Sequence, residues 1–212
     1  MMSGAEVETR DCFDRTPLHV AAGEGLEGAV SALLLRGVDK NAVDEDGYSA
    51  LMFASGAYGK PHPAIVETLL DAGADFNIRA SGGSYSSLDW ACQVGSVPSI
   101  QALVRYGADV NSRDDIQGLG ALHRAAFNDQ ARAVDALIEA GADIELRRNG
   151  GITPLCVAAE GGKSNALLAL LQKGAILSVQ DYAGCTPLHV ACLFQREGVG
   201  AVVDMLLRWG AD

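Results

Sequence analysis

The chain has 212 residues, 49% of them hydrophobic, and a formal net charge of −11. That length allows one or two domains, and that apolar content excludes a disordered chain. Its longest apolar run is short and broken by Ser31, far below a membrane span, and the polar start "MMSGAEVETRDCFDR" has no apolar signal core, so secretion is not expected. The charge is uneven, with 13 acids and 5 bases in residues 1–75 against 14 and 11 in residues 76–212. Such a surface repels phosphate backbones and anionic lipid, which argues against nucleic acid and membrane as partners. The acidic N-terminal part has two readings: a solvated surface that keeps the protein soluble, or attraction of a basic partner. Five cysteines, at 12, 92, 156, 185 and 192, form no C-x-x-C pair and are odd in number. They predict reduced thiols in a cytoplasmic or nuclear protein, with no disulfide framework and no zinc site.

The first predicted helix is "TPLHVAA" at 16–22, where Thr16 suits the N-cap and Pro17 the first helical position. A second helix follows with apolar residues at helical spacing and stops at Gly37, whose permissive φ suits the position after a helix. Next, "VDKN" and the Asp46-Gly47 pair read as an extended turn or hairpin. The same order then recurs: "SALMFAS" at 49–55 with Gly73, "SSLDWAC" at 86–92 with Gly107, "GALHRAA" at 120–126 with Gly141, "TPLCVAA" at 153–159 with Gly174, and "TPLHVAC" at 186–192 with Gly210. The anchoring residues Leu18, Leu51, Leu88, Leu122, Leu155 and Leu188 are spaced by 33, 37, 34, 33 and 33. A lone unit of this kind cannot bury its apolar face, whereas stacked units share a continuous core.

Departures from the period are local. The loops "GAYGKPHP" in the second unit and "LFQREGVG" in the sixth are longer than their counterparts and are expected to protrude at the edge away from the hairpins. The hairpins "IRASGGSYSS" and "SRDDIQGLG" each gain a residue. Insertions on one face of a solenoid often mark its binding side, but exposed loops also tolerate drift, and both readings stay open.

"EGGKSN" at 160–165 carries the end of a phosphate-binding loop, but the first glycine of that motif would fall at 157, which is Val, and no strand precedes it. It occupies the turn between the two helices of a unit. "GEGLEG" at 23–28 matches G-x-G-x-x-G but follows a helix, so the dinucleotide context is missing too.

The T-P-L-H-x-A signature near a 33-residue period, with G-A-D-x-N in register, makes residues 12–212 resemble the ankyrin-repeat family. The resemblance implies an all-α solenoid of stacked helix-turn-helix units with β-hairpin-like loops and first helices on the concave side. It also implies a single domain over 1–212, with repeats near 12–44, 45–80, 81–114, 115–148, 149–181 and 182–212. The last repeat reads as truncated or uncapped, since "LLRWGAD" is followed by no polar capping helix. By the same resemblance, His19, His123 and His189 hydrogen-bond between the turn and neighbouring backbone. His62, in "GKPHPA", has no sequence-near acid or Cys. Nothing marks a tuned catalytic pair or a metal spacing, so no enzyme activity, cofactor or metal is expected.

Family resemblance places partner contacts at the hairpin tip, at the residue before the TPLH threonine, and on the first helix. Here those positions hold Tyr48, Phe53, Tyr85, Trp90, Leu119, Arg124 and Phe127 on repeats two to four, beside an acidic tip of Asp44, Glu45 and Asp46. Tyr, Trp, Phe and Arg are enriched at interface hot spots, and an acidic tip steers a basic segment. The leading reading is a non-catalytic, monomeric protein-interaction module or scaffold. The alternative is a regulatory or substrate-recruiting segment of a larger enzyme or channel. Resemblance to substrates of asparaginyl hydroxylases further marks Asn41, Asn77 and Asn111 as modification sites, each with Leu eight residues and Asp two residues before it.

Overall fold

Four of the six signature heptapeptides start a first helix at a short polar residue that accepts an N–H group which the first helical turn leaves free. Ser49, Ser86, Thr153 and Thr186 do so, accepting from Met52, Asp89, Cys156 and His189 N–H respectively. The Thr16 N–H donates to His19 Nδ1 at 3.0 Å, as the Ser86 and Thr186 N–H groups donate to Asp89 and His189. A computed structural model describes residues 7–194 and 196–211, so the first six residues, Gln195 of the sixth-unit loop and Asp212 lie outside the described residues.

Twelve α-helices are present among the described residues. In chain order they are α1 (Pro17–Gly23), α2 (Glu27–Leu35), α3 (Ala50–Met52, continued by a π turn over Phe53–Ala57), α4 (Pro63–Asp71), α5 (Ser87–Val94) and α6 (Val97–Arg105). They continue with α7 (Ala121–Phe127), α8 (Ala131–Glu139), α9 (Pro154–Glu160), α10 (Ser164–Gln172), α11 (Pro187–Leu193) and α12 (Val199–Arg208). The chain forms two compact units, residues 1–108 and 109–212. In the first, α1 packs on α2 and α3, α2 on α4, α4 on α6, and α5 on the π turn. In the second, α7 packs on α9, α9 on α11, α8 on α10, and α10 on α12. Fully buried alanines such as Ala22, Ala54, Ala91, Ala125 and Ala158 let the first helices approach closely, while leucines such as Leu69, Leu103, Leu137 and Leu170 fill the space under the second helices.

The expected hairpins are single bridges, Val43–Ser49, Arg113–Gly120 and Arg148–Ile152, and no strand ladder forms among the described residues. Two local devices close the tips. Where the tip begins with Asp, its carboxylate turns back on its own loop: Asp44 Oδ1 accepts from Asp46 and Tyr48 N–H, and Asp181 Oδ1 from Ala183 and Cys185 N–H. Where no Asp is present, a Gly-Gly pair with positive φ makes the turn, at Gly82-Gly83 and Gly150-Gly151.

The two long loops keep exposed residues, Tyr58, Gly59 and Lys60 in the second repeat and Leu193, Phe194, Arg196 and Glu197 in the sixth, and each is also tied to the preceding repeat. In the second repeat Ser55 and Gly56 are buried, the Tyr58 ring packs edge-on against Phe53 at 4.7 Å, and His62 Nε2 lies 3.1 Å from the Gly23 carbonyl. His62 thus ties the end of this loop to the preceding repeat. In the sixth repeat, the backbone at Glu197 and Gly198 lies against Gly162. That contact also explains "EGGKSN": Gly162 has φ +65 and a Cβ there would collide with the Glu197 carbonyl, so the glycine serves close backbone packing between neighbouring repeats.

Candidate protein-interaction surface

Tyr48 is positioned by its backbone. Its carbonyl accepts from Asp44 N–H at 3.0 Å and from His19 Nε2 at 3.0 Å. Because Thr16 N–H donates to His19 Nδ1, that nitrogen is the acceptor, and the ring proton sits on Nε2 where it can donate to Tyr48. Burial, the largest cause, holds His19 below the ordinary histidine range, consistent with this neutral form. In the second unit His123 repeats the arrangement, receiving Gly120 N–H on Nδ1 and donating from Nε2 to the Ile152 carbonyl at 3.1 Å, and burial pushes its pKa down to about 4. His189 Nδ1 lies 2.7 Å from Thr186 Oγ1, on an exposed residue.

The first unit gathers its aromatic residues into one cluster. Tyr85 stacks on Trp90 with ring centroids 4.7 Å apart, and Tyr48 stands 5.9 Å from Trp90 at a tilt. Tyr48 also meets Phe53 edge-on at 6.2 Å, and Phe53 in turn touches His19 and Tyr58. Phe53 is 1% exposed and forms the floor, whereas Tyr48, Tyr85 and Trp90 are half-buried and reach the surface. The Trp90 indole N–H is buried with no acceptor among the described residues. Burial raises the Tyr48 phenol pKa, and the neighbouring Asp46 and Asp44 add to that shift. Glu45 and Asp46 are exposed, while Asp44 is buried by its loop bonds. Tyr58, inside an insertion, was not picked out by the repeat pattern; its only sequence signal was the insertion itself.

In the second unit Leu119 is half-buried and Phe127 is 60% exposed. Arg124 is 8% exposed, and its Nη2 donates to Asp114 Oδ2 at 2.9 Å, so this guanidinium is used by the hairpin tip that precedes its helix. Asn41 and Asn111 also serve the stack: their Oδ1 atoms accept from Asp75 N–H at 2.8 Å and Asp143 N–H at 2.7 Å in the next repeat. Asn77 is exposed and its N–H donates to Asp75 Oδ1 at 2.8 Å. Glu145 stands at the corresponding position of its repeat, accepting Ile176 N–H at 2.8 Å. No group of three His, Cys, Asp or Glu side chains that could hold a metal ion occurs among the described residues, and no helix there is long and apolar enough to cross a membrane.

Comparison with known proteins agrees with this architecture. The sequence matches the family description "Ankyrin repeats (3 copies)" over residues 1–80 and 122–212, and "Ankyrin repeats (many copies)" over residues 88–138. Over 101 residues, 47% of this chain, it is 38% identical to the B-cell lymphoma 3 protein homolog of Mus musculus, and the match spans 22% of that relative's length. The crystal structure of the ankyrin repeat domain of Bcl-3, described as a unique member of the IkappaB protein family, superposes with a TM-score of 0.78 at 28% identity, covering 97% of this chain and 87% of that one. The two-helix units closed by glycine and joined by Asp-capped or Gly-Gly tips are therefore ankyrin repeats, folds whose common task is protein–protein interaction, and this chain belongs to the ankyrin-repeat family.

Proposed function

We propose that the chain is a non-catalytic protein-interaction module that binds another protein through the first-helix and hairpin-tip face of its N-terminal unit. The observation that carries this reading is the rigid, half-exposed cluster of Tyr48, Tyr85 and Trp90 beside the exposed carboxylates of Glu45 and Asp46. Aromatic anchors of this kind supply contact area at little entropic cost, and carboxylates at their rim steer a basic segment. On the second unit, taken by itself, half-buried Leu119 and exposed Phe127 are the corresponding proposed contact residues. The buried Phe53, Asp44 and Arg124 act in this reading as supports rather than contacts. The test is capture of partners from a cell lysate by the wild-type chain and by a Tyr85→Ser, Trp90→Ser variant whose helicity is checked by circular dichroism. A partner held by the first and lost by the folded second supports the site; undiminished capture by the variant removes it. Hydroxylation of Asn41, Asn77 and Asn111 is a separate proposal, tested by mass spectrometry for one added oxygen on those peptides from cells that contain such a hydroxylase.

A further inference from the structure

We propose that the aromatic cluster of the N-terminal unit is an arginine-reading site, seating one guanidinium group of a protein partner on the rings of Tyr48, Tyr85 and Trp90 with Asp46 and Glu45 as its counter-charge. This inference rests on the interaction-module reading and narrows it to the chemistry of one side chain.

Three properties of the cluster point the same way. The first is the shape of the electron-rich surface. Tyr85 and Trp90 stack nearly parallel, with 23° between their planes, and Tyr48 is inclined to Trp90 by 54°. The rings therefore meet at an angle, with the carboxylate-bearing tip beside Tyr48. Ring faces are electron-rich and attract a cation placed over them.

The second is uncompensated charge. Arg15 and Arg79, the arginines of the neighbouring loops, are already paired, with Asp11 at 2.7 Å and Asp89 at 3.3 Å. Glu45 and Asp46 are exposed and form no ion pair among the described residues. An apolar segment pressed onto the rings would desolvate these carboxylates without replacing their hydrogen bonds, which is unfavourable. A cation replaces them.

The third is rigidity. The Tyr48 carbonyl is tied to His19 and Asp44, the Tyr85 carbonyl accepts from Ala80 N–H at 2.9 Å, and Trp90 lies on α5, whose start is capped reciprocally by Ser86 and Asp89. A surface already in its binding geometry loses little entropy on binding. Among cations, guanidinium fits best: it is flat and weakly hydrated, and it stacks on a ring while its edge N–H groups reach a carboxylate. An ammonium group is compact and strongly hydrated.

The test uses the full chain, isotopically labelled, titrated with the peptide Ac-Gly-Gly-Arg-Gly-Gly-NH2 and its lysine and citrulline counterparts and followed by NMR. The Trp90 indole N–H, shielded from solvent, is the reporter, and a Trp209→Phe variant assigns it. The expected result is that the arginine peptide shifts the Trp90 indole and the Tyr48 and Tyr85 amides. The lysine peptide should bind about three- to tenfold more weakly, and the uncharged citrulline peptide should give no shift. Asp46→Asn, which touches no core, should weaken the arginine peptide by about threefold without lowering the melting temperature. Equal response to lysine and arginine, or arginine shifts that spare Trp90, overturns the inference. So does a partner captured through Tyr85 and Trp90 whose affinity survives replacement of every arginine in its bound segment by lysine, and that outcome leaves the interaction module standing. Undiminished capture by the folded Tyr85→Ser, Trp90→Ser variant removes both.

Discussion

Asp129 Oδ1 accepts the N–H of Ala166 at 2.8 Å, and Oδ2 accepts from Asn165 Nδ2 at 2.7 Å, so a carboxylate in one inter-helix turn satisfies the first turn of α10 in the next repeat. Asp129 has φ +58, the position that Gly25, Gly95 and Gly162 fill in other repeats. Two effects therefore oppose each other, cap energy and left-handed strain. Asp129→Ala keeps the strain and loses the cap, and is expected to cost about 1–2 kcal/mol. Asp129→Gly loses the cap but relieves the strain, and should cost about 1 kcal/mol less than the alanine variant. Urea titration of the two variants checks the order; equal losses would mean that φ at this turn carries no strain.

The two glycines of "EGGKSN" are expected to behave differently. At Gly162 the φ of +65 and the Glu197 carbonyl, which a Cβ would run into, leave no room for a side chain. At Gly161 the nearest atoms belong to the flexible side chain of Lys163, at 3.0 Å, and φ is −85. Gly162→Ala should therefore destabilise by roughly 1–3 kcal/mol, and Gly161→Ala by less than about 0.5 kcal/mol. Thermal melts of both variants distinguish this packing role from a phosphate-binding one, in which nucleotide would raise the wild-type melting temperature.

Acid should weaken the fold through His123. Its folded pKa is about 4, against an ordinary value of 6.5, because burial disfavours the imidazolium. The unfolded chain takes up a proton near pH 6.5 while the folded chain does not, so the stability of the neutral form is fully present above that pH and is lost as pH falls from 6.5 toward 4, by on the order of 3 kcal/mol in total. Asp11 is held near pKa 2 by the hydrogen bond from Arg15, so any loss from its protonation begins only below its ordinary value of 3.8, outside this window. His123→Gln should lower stability at pH 7 and flatten the dependence between pH 6.5 and 4. An unchanged slope in that variant would assign the acid sensitivity elsewhere.

The Arg124–Asp114 pair is nearly sealed from solvent, with side chains 9% and 2% exposed. Removing the guanidinium alone leaves Asp114 with only part of its charge compensated, by Ile116 and Gln117 N–H. Arg124→Ala is therefore expected to cost about 3–5 kcal/mol, and Arg124→Met with Asp114→Asn markedly less, since no buried charge is then stranded. Denaturant midpoints of the single and double variants measure the difference.

Much of the architecture was legible in the sequence because it is local and repeated. Thr-Pro starts, glycine stops and a 33-residue period of leucines depend on backbone sterics and on which faces are apolar, and these act within a few residues. The histidine bonds followed the same logic, since the Thr16–His19 contact is three residues long. The candidate surface was legible in part. Tyr48, Tyr85 and Trp90 stand at repeat positions that point to partner contacts, but repeat position does not decide exposure. Phe53 shares the slot of Trp90 and is buried, with His19, Tyr48 and, from the second-repeat insertion, Tyr58 packed against it.

By itself, then, the sequence determined the repeat, its helices and its turns, because each is set by short-range conformational preference and by a periodic apolar face. Only the tertiary structure decided which side chains of that pattern reach solvent. The stacking of Tyr85 on Trp90 and the ion pair that draws Arg124 inward each join a hairpin tip to the helix after it, and the His62 contact with Gly23 joins a loop to the preceding repeat. Those contacts depend on packing volume and on the cost of burying unpaired charge, which no spacing of residues along the chain encodes.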